Sequence, residues 1–288
     1  MYLVSYFLMA GQGLLTMVPG VLTSLHSVVG VFYERLLHKS WPPLLPTGSG
    51  DTLFDWTLAA LLLVIALVAG TAWTAFQRKV SSQHVPVLSG LLRFFLAYSL
   101  LSYGLIKFNF GQFGLLNDWQ LTATYGESSP MGLLWRFMAT SPGYQWLAGV
   151  AEVLPALLLL HRRTVTLGAL LAAVTMTNVL ALNLFFDVPV KLFSAHLLLT
   201  ALVLAAADLP RLWAFAQGKA VAALPSTLQP ALWRWGSWLP TVLILAGVGI
   251  HAQRGLSELA DQRTETQGTP SLLKSRGFHL VSPKPFNR

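Results

Sequence analysis

The chain has 288 residues, of which 54% are hydrophobic and only 10% are charged. A soluble globular domain carries about 25% charged residues, so the composition excludes that class. The net charge of +8 would suggest nucleic acid in a soluble protein. Here the basic residues lie mostly between long apolar blocks, which assigns them to membrane topology and makes the lipid bilayer the partner, with no role for nucleic acid.

A helical bilayer crossing needs about 20 mostly apolar residues, and seven blocks in the chain approach or exceed this length. In order they are Leu3–Tyr33, Leu53–Phe76, Val87–Phe110, Tyr144–Leu160, Val165–Phe186, Val188–Leu209 and Trp233–Ala252. They are continuous and rich in leucine and alanine, where barrel strands would be short and alternating. The expected fold is therefore all-α: a polytopic transmembrane bundle of about seven spans. The first block has no basic residue before it and no small-residue cleavage site after it, so it reads as a retained span and not a signal peptide. Pro19 should tilt it, bend it or end it early. A Pro/Gly-rich loop, His38–Asp51, leads to the second block, and the polar Gln77–His84 leads to the third.

The third block, RFFLAYSLLSYGLIK, places Arg93 and Lys107 near opposite ends of one helix face, with Ala97, Leu100 and Gly104 between them. Both cations can snorkel toward the interfaces. Lys107 could instead reach Glu152 if the helix ran past Phe110. The long segment Gly111–Gly143 reads either as plain loop or as an interfacial helix at Leu133–Ala139 followed by a Ser-Pro turn.

Three polar residues fall on the next three blocks. Glu152, Asn178 and His196 each lie about eight residues, or about 12 Å, from the expected outer end of their spans. Tyr103 reaches a similar zone from the third block. Ionisable groups at such depth need partners or water, so this layer is either hydrogen-bonded glue between helices or the lining of a pocket open to the outer face. In the pocket reading Glu152 and His196 handle protons, because each can move the other's titration toward neutrality. Asn178 hydrogen-bonds the ligand and Lys107 supplies positive charge, with Tyr103 and Arg93 as further ligand-binding residues. Asp187 has a structural explanation, as an N-cap for the sixth span ahead of Pro189 and as an (i, i+4) ion pair with Lys191.

Counting Lys and Arg in the loops gives seven on one side (Arg78, Lys79, Arg162, Arg163, Arg211, Lys219, Arg234) and four on the other (Arg35, Lys39, Arg136, Lys191). By the positive-inside rule this puts the N-terminus in the cytoplasm and the C-terminal tail outside. The tail after Gln253 is polar and too small to form a core of its own. It is read either as the start of a further domain in a longer chain or as a segment docked on the membrane domain. The absence of cysteine leaves no thiolate metal site and no redox dithiol. No Walker loop, G-x-S-x-G, H-E-x-x-H or G-x-G-x-x-G motif is present.

The segments RFFLAYSLLSYGLIKFNFGQF, GVAEVLPALLLLHRRTVTLGALL and NVLALNLFFDVPVKLFSAHLLL resemble the DoxX-like family of bacterial membrane proteins. The likeness rests on Arg93, Gly104 and Lys107 in the first segment and on Gly149 and Glu152 in the second. It implies a four-helix core at 87–210, with two spans before it (1–86), a loop and last span after it (211–253) and a polar tail (254–288). Some relatives of that family are named as subunits of quinone-linked oxidoreductases. The resemblance thus implies a multi-pass protein of the bacterial inner membrane and a membrane subunit of a redox system, with a quinone as the ligand and a partner protein in a membrane complex. The competing classes are a small-molecule transporter or binding protein using the same pocket, and a non-catalytic anchor for a partner.

Overall fold

The computed structural model describes residues 2–9, 20–43, 50–76, 85–161 and 163–221, together with Gln253 and Ser257. All regular structure among them is helical: α1 (Tyr2–Met9), α2 (Val21–Leu37), α3 (Leu53–Phe76), α4 (Val85–Phe108), α5 (Asp118–Thr122), α6 (Pro130–Thr140), α7 (Pro142–Leu160), α8 (Val165–Phe185), α9 (Lys191–Ala206) and α10 (Leu209–Ala216), with one 3-10 turn at Tyr125–Glu127. Four of them, α3, α4, α7 and α8, are long and apolar enough to cross a membrane. The α9–α10 pair, bent by 68° at its break, makes a fifth if it counts as one span. The chain is thus a multi-pass membrane protein. Of the expected first block, the structure describes α1 (Tyr2–Met9) and α2 from Val21 onward, while residues 10–19, with Pro19 and the bend expected there, lie outside the described residues. The seventh block and the polar tail fall outside them as well, apart from Gln253 and Ser257.

The residues divide into two compact units, with boundaries after Leu100 and after Val153. The first holds α1–α3, the start of α4, the end of α7, and α8–α10. Its α2–α3 core packs Val29 against Phe54, Leu58 and Leu62, with Tyr2 of α1 and Trp41 at its edge. The remaining helices of this unit bury small side chains: Ala97, Ala156, Ala169, Ala172 and Ala201 are all fully buried. Lipid gives helices no hydrophobic reason to associate, so close backbone approach through small residues takes its place. Gly168, in the first turn of α8, shows how tight this is. A Cβ there would sit 2.8 Å from the Leu159 amide nitrogen.

Local chemistry sets the helix starts. Thr52 and Asp55 form a reciprocal capping box at α3: the Thr52 amide donates to Asp55 Oδ2 and the Asp55 amide to Thr52 Oγ1. In the second unit, Asn117 and Gln120 cap α5 in the same manner, and Ser129 caps α6 ahead of Pro130. At Leu133–Ala139, where the sequence left plain loop and interfacial helix open, the structure has a helix: α6 contains this segment and extends it at both ends.

The start of α9 corrects the sequence expectation. Asp187 does not cap it. The residue is in left-handed conformation (φ 52°) and the helix begins only at Lys191. The reason is Asp51, from the turn before α3. Its carboxylate accepts hydrogen bonds from the backbone amides of Lys191 (2.7 Å) and Leu192 (2.8 Å), occupying the donors that a local cap would have used. Asp187 keeps only its exposed ion pair with Lys191 Nζ, at 2.7 Å.

Asp51→Ala should therefore cost about 1–2 kcal/mol, the worth of a helix cap. Asp187→Ala should stay within about 1 kcal/mol, as exposed pairs do. Thermal unfolding of the detergent-solubilised protein, followed by tryptophan fluorescence, should show a midpoint lowered by several degrees for the first variant and nearly unchanged for the second.

Candidate functional site

The second unit contains a buried charge pair. Lys107, in the last turn of α4, places Nζ 2.5 Å from Glu152 Oε2 on α7, and both residues are only 4% exposed. The same ammonium also donates to the Tyr103 carbonyl at 3.1 Å. The two helices are brought together by glycine. A Cβ on Gly104 would lie 2.9 Å from the Gly149 carbonyl oxygen, and one on Gly149 would lie 2.8 Å from the Gly104 carbonyl. Any side chain at either position would push the backbones apart. Gly104 precedes Lys107 by three residues and Gly149 precedes Glu152 by three, so the close contact sets the ion pair one turn beyond it on both helices. Lys107 thus reaches Glu152 although α4 ends at Phe108 and does not extend past Phe110.

Gln145 continues the α7 stripe of Gly149 and Glu152, at the (i, i+4, i+7) spacing of one helix face. It is fully buried, and its Nε2 donates to the Gly114 carbonyl at 3.0 Å. Its Oε1 is buried with no hydrogen-bond donor among the described residues, and Gln112 Oε1 is in the same state. Neither glutamine was singled out in the sequence. The signal for Gln145 was available, since it shares the face of Glu152, but the expected span began next to it at Tyr144 and made it look interfacial.

His196 lies in the first unit, within a different group. Its Nδ1 donates to the Leu192 carbonyl at 2.7 Å, which leaves Nε2 as the acceptor for the Tyr2 hydroxyl, also at 2.7 Å. The Tyr6 ring stacks on the imidazole with centroids 3.5 Å apart and planes within 7°. These partners come from α1, whose two tyrosines the sequence reading passed over. Nearby on α9, Ser194 accepts a hydrogen bond from the buried Asn183 amide at 3.0 Å. Asn178, expected at the level of Glu152 and His196, has its side chain exposed on α8. Arg93 is tied down by donating to the carbonyls of Leu159 and Leu160, two of the acceptors left open at the C-terminal end of α7. Among the described residues, no three His, Cys, Asp or Glu side chains are grouped so as to hold a metal ion.

The Lys107–Glu152 pair offers a donor and an acceptor, either of which can hold a proton. Removing one partner of a buried pair strands the other and costs about 3–5 kcal/mol, whereas replacing both by apolar side chains is often neutral. Lys107→Met and Glu152→Leu should each lower the unfolding midpoint sharply. The double variant should recover most of the loss, giving a coupling energy of at least about 2 kcal/mol in a double-mutant cycle.

No family model matches the chain, and no solved structure matches it. It is similar to the uncharacterized protein YwoB of Bacillus subtilis (strain 168), with 33% identity over 127 residues that make up 44% of this chain and 79% of YwoB. At that identity and coverage, the chain belongs to the same protein family as YwoB.

Proposed function

We propose that the protein is a DoxX-like membrane subunit that binds the polar head of an apolar ligand, of the quinone class, at the Lys107–Glu152 pair. The observation that carries this reading is an ion pair buried in the apolar part of the chain. Two hydrophobic side chains there would stabilise the α4–α7 contact at least as well as two charges do. Charges kept at such a position mark a ligand, ion or proton path by default.

The residues fit such a head group. Lys107 donates to a carbonyl oxygen. Glu152 holds or gives up the proton that a ring oxygen gains or loses on reduction or oxidation. Gln145 Oε1, an acceptor without a donor among the described residues, suits a hydroxyl. A quinone would supply two-electron chemistry, with electrons exchanged through a partner protein in the membrane. The DoxX-like pattern at Arg93, Gly104, Lys107, Gly149 and Glu152 supports the quinone class over other head groups. His196, with Tyr2 and Tyr6, is read as a second polar centre. The reading sets this pair on the outer side of a seven-span protein of the bacterial inner membrane.

The test uses the doubly apolar variant, because it separates binding from folding. Titration of the purified protein with a short-chain quinone should quench tryptophan fluorescence saturably, with Trp146 beside Phe108 and Trp135 beside Gln112 as reporters. Lys107→Met/Glu152→Leu should keep its helix content and lose the saturable quenching. Equal quenching in the wild type and the double variant, or none in the wild type, would remove the ligand reading and leave the pair as glue between helices.

A further inference from the structure

The face of α8 turned away from its neighbours carries a regular seam. Leu167, Leu171, Val174, Asn178, Ala181 and Phe185 follow one another in alternating steps of four and three residues, the repeat that winds two helices into a left-handed pair. The opposite face, with Gly168, Ala169, Ala172, Met176 and Asn183, is buried within the protein. The seam is not: Val174 is 71% exposed, Phe185 81% and Leu167 51%. Of the four long spans, α8 is the least covered by the rest of the chain. Asn178 sits in the middle of this seam. It is exposed and has no hydrogen-bond partner among the described residues. Three turns of apolar helix precede it and nearly two follow, so water does not easily satisfy its amide.

We propose that the protein self-associates through α8, a second copy placing the same seam against the first. The occupant follows from the chemistry of Asn178. A carboxamide needs one donor and one acceptor, and an identical carboxamide supplies both. All copies insert into the bilayer in one orientation, so a two-fold axis along the membrane normal runs the two α8 helices parallel. Every residue then meets its own counterpart at the same depth. Asn178 pairs with Asn178, and Val174 and Ala181 pack on either side. A single asparagine in an otherwise apolar heptad seam is a known means of fixing register and the number of strands. Lipid chains covering the face would leave the amide unsatisfied. The seventh apolar block, Trp233–Ala252, is the other segment that could cover it.

The chain has no cysteine, so single cysteines report cleanly on this geometry. Oxidative cross-linking in native membranes should give dimers from Leu171→Cys, Val174→Cys, Asn178→Cys and Ala181→Cys. Leu184→Cys on the flank of α8 and Leu67→Cys on α3, both exposed, should give little. In phosphatidylcholine vesicles, energy transfer between labelled copies should show Asn178→Leu dimerising about three- to fifteenfold more weakly, the worth of an interhelical hydrogen bond in a membrane. Asn178→Gln, which keeps the carboxamide, should recover part of the loss. The proposal is overturned by seam cysteines that cross-link no better than the controls, or by seam cysteines that instead react within one chain with cysteines placed between residues 233 and 252. An Asn178→Leu variant that dimerises as well as the wild type would overturn it too.

Discussion

The contact between Gly104 and Gly149 is the constraint on which the polar centre depends. Two helix backbones that touch carbonyl to Cα leave no room for a side chain between them. The residues one turn further along, Lys107 and Glu152, are then brought within bonding distance whatever their cost in desolvation. In water such a pair would contribute little, because each charge would be well solvated apart. In a buried position the balance differs. Either charge alone would be destabilising, so each is kept only while the other is present, and the glycines keep both. The buried ion pair and the close packing of α4 on α7 are therefore one feature of the sequence, the G-x-x-K and G-x-x-E spacings, seen at two scales.

The first unit meets the same demand by other means. Its polar groups mostly satisfy helix ends or each other. Asp51 takes the amides that open α9, Arg93 takes the carbonyls that close α7, and Asp208 joins the α9–α10 corner to Thr166 on α8 and to Arg211. Each of these side chains sits where a helix terminus leaves backbone groups unpaired or a chain reversal must be held. His196 differs, because it lies within α9 and not at its end, and it finds its partners on α1. Tyr2 and Tyr6 thereby give α1 a fixed place against α9.

Much of the helical layout was legible in the sequence. The blocks at Leu53–Phe76 and Val165–Phe186 match α3 and α8 to within a residue, because runs of leucine and alanine bounded by polar residues leave little choice. The LLWRFMA run of α6 was only half legible: the sequence left helix and plain loop open there, and the structure has a helix. The cap of α9 was not legible. Asp187, two residues before Pro189, satisfied every local rule for an N-cap, and Asp51, 140 positions before Lys191, took the role instead. No reading along the chain contains that fact, since it is set by how the loop before α3 packs. The partners of His196 were hidden for the same reason. Depth counted from span ends could rank Glu152, Asn178 and His196 together, but it carries no information on azimuth around each helix.

Azimuth is where the two asparagines of α8 part. Asn178 and Asn183 are five residues apart, about 140° around the helix axis at about 100° per residue. Asn183 therefore faces inward to Ser194 while Asn178 faces out. One face of α8 has its polar group satisfied by the fold, and the other carries an amide with no partner among the described residues. A polar group whose needs are met inside the chain is a folding device. One whose needs are not met, on an apolar face with a coiled-coil repeat, is a recognition device. The same residue type thus does two different things on one helix, and the difference lies in the number of residues between them.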